Sequence, residues 1–530
     1  DDSLGYLKIL KSLLSLNIPS LSLAVCSDLT LISEVSFQNL RPHLKTIIPQ
    51  IIDLTCFQNY ELCLRALEFW GTFLEQSGVK EILSEYLIQL VNRIMPCLVY
   101  SEHDGVYITY KDNQGTDEEN VDPTRKAYHP LDDDDSDMDD SIDPNEWTMR
   151  KAAAHSLDRL AQVFGSEICQ HLEHINSMLS SNNWCQQEAA LLAIGAISKG
   201  CMMSCDTYFP QLFPHLIMFL NHNAVLVRSI SCWTLSRYAQ FYADNPIYIE
   251  RVVLSIFDCM ADSNKLVQNG AISGLSCLLE LCNDKMGQFC DIFAEKLIFC
   301  LGIYKEHNMN NLYDFIARLA HLLPGFDSHP IFVNQILPSM ISKLVTNHSE
   351  YTFSDLALLD SISYLTLSLK EKLFPYCDSL VEFCIQVVEQ GVNQIIASEQ
   401  DCNISFPDKD YIITCLDLLS CFSENVGPSL RICLAKYDVP NFLGFCYRCN
   451  DNDVRVSSIG CIGAIVGHFF DLFEKNIPNF MNILLDFQES DSSYLINNRM
   501  FSLKVFFARL GPQSSNYAQR FLEKVCYLFS

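Results

Sequence analysis

Apolar residues recur at helical spacing along nearly the whole chain, and alternating strand-like runs are rare. That pattern predicts an all-α protein. Four segments align without gaps: 150–161 (RKAAAHSLDRLA), 187–198 (QEAALLAIGAIS), 228–239 (RSISCWTLSRYA) and 268–279 (QNGAISGLSCLL); a fifth, 455–466 (RVSSIGCIGAIV), looks alike. The first four begin 37, 41 and 40 residues apart. Each opens with Arg or Gln, and small residues follow at positions where helices pack closely. Between these segments lies a helix of another kind, such as 208–220 (YFPQLFPHLIMFL), whose prolines fall near its expected start.

A period near forty residues, with two kinds of helix alternating, is the signature of HEAT or armadillo units, each a helical hairpin. The expected fold is therefore an α-solenoid (superhelix) of HEAT-repeat helical hairpins, about 13 of them, with one concave face. Such a stack escapes the size limit of a single core, because each unit packs only on its neighbours. Composition agrees: 49% of the 530 residues are hydrophobic, while Gly (20) and Pro (19) are too scarce for a turn-rich β protein.

One interruption breaks the pattern. Residues 101–146 have almost no apolar periodicity, and 131–140 (LDDDDSDMDD) holds seven Asp in ten residues. Between Glu102 and Glu146 stand 16 acids and three bases, so this stretch carries about −13 of the formal net charge of −28. Self-repulsion and lack of apolar surface predict an acidic disordered loop inserted within one repeat. A weaker break at 390–410 reads as a polar loop. The chain then divides into HEAT repeats at 1–100, the acidic loop at 101–146, central cargo-binding repeats at 147–389, the polar loop, and further repeats at 411–530.

An acidic surface repels phosphates and favours basic partners, which argues against direct nucleic-acid binding. No apolar run of about 18 residues free of polar interruption is read, so no membrane span is expected. The 24 cysteines, mostly single and set among apolar residues, read as reduced core side chains. The sequons at Asn347 and Asn403 are then expected to be unused. The chain opens on Asp-Asp-Ser-Leu in mid-pattern and reads as a fragment of a longer protein. Signals of chemistry are weak. Gly460, Gly463 and Gly467 lack a preceding strand and a following Lys-Ser/Thr, and neither a Gly-x-Ser-x-Gly nor a His-Glu-x-x-His motif occurs. Cys446 and Cys449 form a Cys-x-x-Cys pair, but Cys461 and His468 sit at poor ligand spacing within a repeat helix. His171 and His174 read as exposed polar residues. No enzyme activity, cofactor or metal is expected.

More specific are ALEFW at 66–70, LEQ at 74–76, YSEHD at 100–104 before the acidic stretch, WTMRK at 147–151 after it, and above all LVRSISCWTLSRYA at 226–239. DSNK at 262–265, LYD at 312–314, FPYC at 374–377, PDKD at 407–410 and LDLLS at 416–420 follow in the same order. In content and order these resemble the transportin (karyopherin β2) family of importin-β-type nuclear import receptors. The resemblance implies a receptor shuttling between cytoplasm and nucleus. Its cargo, often RNA-binding proteins, would carry basic, proline-tyrosine nuclear localisation signals, Ran-GTP would release it, and nucleoporins would be further partners. It also implies that the second helix of each hairpin lines the binding face.

On those helices the resemblance points to Asp158, Glu280, Asp314 and Asp417 as acids for basic cargo residues, through charge-assisted bonds. Leu192, Ile230 and Trp233 would give apolar contact. Ile230, Trp233 and Arg237 share a helical face by their i, i+3, i+7 spacing. Ser273 lies seven residues before Glu280, and Asp417 seven before Glu424. Ala154 matches a small residue that admits the proline-tyrosine end, and Phe501 stands at a Trp-like position with Arg499 and Lys504 nearby. The chain departs from the family at His155, where relatives have a small residue, and at Arg318 and His321, where they have Thr and Asp. Arg318, one turn after Asp314, is placed to pair with it. The competing reading is a HEAT-repeat structural scaffold subunit with no transport role, which would require neither the acidic insertion nor the Trp233 segment.

Overall fold

The computed structural model describes residues 2–16, 18–56, 58–101, 147–171, 173–346, 353–400, 405–488 and 491–528. The expected acidic loop, apart from Ser101, and both sequon asparagines lie outside them. Among the described residues every regular element is helical. Two compact units divide the chain, Asp1–Met286 and Gly287–Ser530.

The first unit is a row of helical hairpins. Its longer helices are α1 Asp2–Leu14 and α2 Pro19–Leu40, α3 Leu44–Leu54 and α4 Tyr60–Phe73, α5 Leu87–Ile94 and α6 Met149–Phe164. There follow α7 Glu173–Leu179 and α8 Trp184–Cys201, α9 Cys205–Phe219 and α10 Val225–Ser236, α11 Ile249–Cys259 and α12 Lys265–Met286. The second unit repeats the plan with α13 Cys290–Ile303 and α14 Glu306–Leu322, α15 Leu337–Thr346 and α16 Phe353–Leu369, α17 Phe374–Gln400 and α18 Lys409–Asn425. It ends with α19 Val439–Tyr447 and α20 Asn452–Phe469, α21 Ile477–Leu484 and α22 Ser493–Leu510, and a last helix α23 Ser515–Leu528. Among the described residues this makes six hairpins and then five, fewer than the period alone suggested. The 101–146 stretch and the long α17 take up chain that a fixed period counts as repeats.

Within each unit the second helix of every hairpin packs on the second helices before and after it: α2, α4, α6, α8, α10 and α12 in one row, α14, α16, α18, α20 and α22 in the other. The sequence starts these helices with side-chain caps. Asn59, Thr148, Asn183, Asp408, Asp451 and Ser492 each accept a backbone N–H from the first turn, satisfying donors that have no helical partner. The recurring Arg or Gln early in each second helix ties down the neighbouring turns. Arg228 donates to both carboxylate oxygens of Asp262 at 2.8 and 2.9 Å, Gln268 donates to the Asp262 carbonyl at 2.7 Å, and Arg455 to the Cys449 carbonyl at 2.6 Å. Small hydroxyls stitch one second helix to the next. Ser156 donates to the Leu67 carbonyl at 3.0 Å, Thr234 to Leu191 at 2.9 Å and Ser502 to Ile459 at 2.7 Å.

Where 102–146 leaves and rejoins the helices, the flanks are pinned. Arg150, buried, donates to the Leu98 carbonyl at 3.0 Å, pairs with the buried Glu188 carboxylate, and lies 3.9 Å over the Tyr100 ring. Trp147 packs edge-on against His155 with ring centroids 6.0 Å apart.

Three expectations need correction. The polar loop does not begin at 390, because α17 continues to Gln400; Gly391, Val392 and Ile395 are buried and carry the apolar stripe through that stretch. Pro210 and Pro214 lie inside α9 rather than at its start. Finally, Pro19–Leu54, Trp184–Phe219 and Asn452–Leu484 are long and apolar enough, by length and composition, to cross a membrane. Each spans a second helix and the following first helix, joined here by a short 3-10 segment. A helix flanked by neighbours on several sides is apolar over most of its circumference.

Candidate functional site

The exposed side of the second helices collects most of the residues singled out from the sequence. In the first unit these are Asp158 on α6, Trp233 on α10 with Arg237 just past its end, and Ser273 and Glu280 on α12. In the second they are Asp314 on α14, Asp417 and Glu424 on α18 and Phe501 on α22.

Trp233 is half-buried, and its ring is laid over Gly195 of α8, where a Cβ would stand only 2.2 Å from the indole. The Arg237 guanidinium lies 5.6 Å from the centre of the same ring, within cation–π range. The arrangement recurs. His155 of α6 lies over Gly71 of α4, and Phe501 of α22, 44% exposed, over Gly463 of α20. A glycine in one helix lets the ring of the next lie flat, one edge sealed and the other open. Burial lowers the His155 pKa, with the Arg159 charge adding to it, so this ring favours its neutral form.

Polar groups here are incompletely satisfied. The Asp158 Oδ2 accepts from Gln162 at 2.8 Å, while its Oδ1 and the Arg237 Nε are enclosed without a hydrogen-bond partner among the described residues. Such atoms are uncommon in a finished interior. In the second unit Asp314 is already engaged, since Arg318 donates to its carboxylate at 2.7 Å. His321 meets Ser368 at 3.2 Å and packs edge-on against Tyr364, with centroids 5.1 Å apart. The Asp417 carboxyl is raised above the ordinary range, first by desolvation and then by the charge of Asp360 on α16; Asp360 is itself raised by desolvation and by Asp410.

Three expected contact residues do not reach this surface. Leu192 is 0% exposed, Ala154 3% and Ile230 7%. Each turns toward a neighbouring helix, since a helix in the middle of a row has apolar contacts on both flanks. Arg499 is also a core residue, donating to the Ile483 carbonyl at 2.6 Å and the Tyr447 hydroxyl at 2.9 Å. Sequence reasoning missed Asp360, Tyr364 and the three glycines. A signal for two of the glycines was present, because the segments 187–198 and 455–466 share IGAI at 194–197 and 462–465. Among the described residues no group of three or more His, Cys, Asp or Glu is placed to hold a metal ion.

Rows of stacked hairpins with open second helices define the α-solenoid class. A HEAT-like repeat model matches residues 184–238, which cover α8 to α10. The homologues of this chain are transportins and importin β-2 proteins. It is 28% identical to Transportin-1 of Mus musculus over 523 residues, 94% of this chain and 58% of that protein. It is 24% identical to Importin subunit beta-2 of Schizosaccharomyces pombe over 562 residues, 97% of this chain and 61% of that protein. The chain thus spans about three fifths of the length of these relatives. Among solved structures, Kap95 in its complex with Nup1 superposes with a TM-score of 0.66 at 13% identity, over 98% of this chain and 65% of that one.

Proposed function

We propose that this chain supplies the cargo-binding repeats of a karyopherin-type nuclear import receptor. The exposed side of its second helices takes an extended, basic, proline-tyrosine localisation signal, often that of an RNA-binding protein. Ran-GTP releases that cargo, nucleoporins carry the receptor through the pore, and the receptor shuttles between cytoplasm and nucleus. The observation that carries this reading is the likeness to Transportin-1, which runs along 94% of the chain. The geometry supports it. Trp233 offers a fixed ring with one open edge, the kind of rigid anchor that dominates peptide interfaces. Asp158, Glu280, Asp417 and Glu424 offer carboxylates for cargo Arg or Lys.

An extended peptide that orders on binding needs several separated anchors to offset its entropy cost. The ring at Trp233 and the carboxylate of Asp158 in the same unit are two such anchors. Trp233→Ala is expected to weaken binding of a labelled basic proline-tyrosine peptide by about 30-fold, roughly 2 kcal/mol. Fluorescence anisotropy measures it. Unchanged affinity, with helical circular dichroism intact, would remove Trp233 from the site.

A further inference from the structure

In the first unit three cysteines meet where α8 ends. The Cys169 and Cys201 sulfurs are 3.3 Å apart. Cys205 follows one turn on, its sulfur 3.2 Å from the Tyr208 hydroxyl. Cys201 and Cys205 are buried, whereas Cys169 is half-buried and lines a cavity of about 640 Å³ with Leu179, Tyr208, His215 and Tyr238. One sulfur of the pair therefore faces an opening and the other lies directly behind it. A second pair, Cys63 and Cys97, has nearly the same separation, 3.4 Å, but both thiols are 0% exposed.

We infer that Cys169 and Cys201 form an oxidisable dithiol whose substrate is a small hydroperoxide entering through the cavity. The Cys169 thiolate attacks the peroxide; one oxygen stays on sulfur as a sulfenic acid, and the other leaves as water after taking a proton. The Cys201 sulfur then attacks the Cys169 sulfur and displaces the hydroxyl, which leaves as water with the Cys201 proton. The balance is two thiols and one hydrogen peroxide to one disulfide and two waters. The closing movement is small, since a disulfide needs about 2.05 Å between sulfurs. The pair is also polarised in the useful sense. The contact with Cys201 holds the Cys169 thiol down to about 7, and the same contact, with burial, pushes Cys201 up. The accessible sulfur is thus the nucleophile, and the sealed one resolves it.

The test is peptide mapping of the full chain after hydrogen peroxide treatment, followed by alkylation without reductant. The expected result is a Cys169–Cys201 linked peptide that dithiothreitol removes. It should form at least about tenfold faster than the exposed Cys526 is oxidised. Cys63 and Cys97 should remain alkylatable after unfolding. In Cys201→Ser, Cys169 should instead be trapped by dimedone as the sulfenic acid. Retention of both thiols when Cys526 is fully oxidised would overturn the proposal. So would formation of the Cys63–Cys97 disulfide at an equal rate, because access through the cavity would then decide nothing.

Discussion

The helices around Trp233 and those around Asp417 solve one problem in different ways. In the first unit the open side of the second helices is built on close packing. Gly195 admits the Trp233 ring, Arg237 lies over it, and Leu192 and Ile230 are sealed beneath. In the second unit the same side is built on charge. Desolvation and then the charge of Asp360 raise the Asp417 pKa, Glu424 is exposed, and Asp314 is occupied by Arg318. One region is a fixed shape that a side chain can rest on. The other is an electrostatic deficit that a cation would relieve.

The comparison can be broken most severely from below. Glu188→Ala leaves Arg150 buried without its carboxylate, and removal of one partner from a buried pair costs about 3–5 kcal/mol. The first unit should melt well before the second, as differential scanning calorimetry would show by two separated transitions. Gly195→Ala should cost about 1–3 kcal/mol, because the new methyl displaces the Trp233 ring from its seat. Tryptophan emission should shift to the red as the indole swings into water, with the second unit unaffected.

Smaller changes sharpen the electrostatic half. Arg318→Thr frees Asp314 from an exposed pair of the kind worth about 0.2–1 kcal/mol, so a basic peptide should bind up to about fivefold more tightly. Titration calorimetry would register it, and an unchanged affinity would count against Asp314 as a contact. For Asp417 the sign follows from its raised pKa. The folded chain binds the proton more tightly than the unfolded one, so Asp417 supports folding when protonated, and that support is lost as pH rises through its folded pKa. Asp417→Asn should therefore raise the melting temperature of the second unit at neutral pH and do little in mild acid. The same substitution should weaken a basic peptide, the usual trade when a site holds unrelieved charge.

Much of the fold was legible in the sequence. The spacing of 150–161, 187–198, 228–239 and 268–279 marked α6, α8, α10 and α12, and the i, i+4 offset of Asp314 and Arg318 foretold their ion pair. Less legible was which apolar residues stay open. Leu192 and Trp233 both sit on apolar second helices, yet one is sealed and the other half-open. The difference lies in what the adjacent helix presents, a glycine at 195 under the ring, and periodicity within a single helix carries no record of its neighbour. The same limit explains α17, whose stretch from 390 looked like the start of a polar loop although Val392 and Ile395 still face the core. It explains too why Trp184–Phe219 has a membrane-like composition in a chain of packed hairpins.

The most direct measurement is fluorescence anisotropy with a labelled basic peptide ending in Arg…Pro-Tyr, beside the same peptide with Pro-Tyr replaced by Ala-Ala. The account predicts saturable binding that weakens at least about tenfold in the control, about 1.4 kcal/mol. Equal binding of both peptides, or of neither, would contradict it.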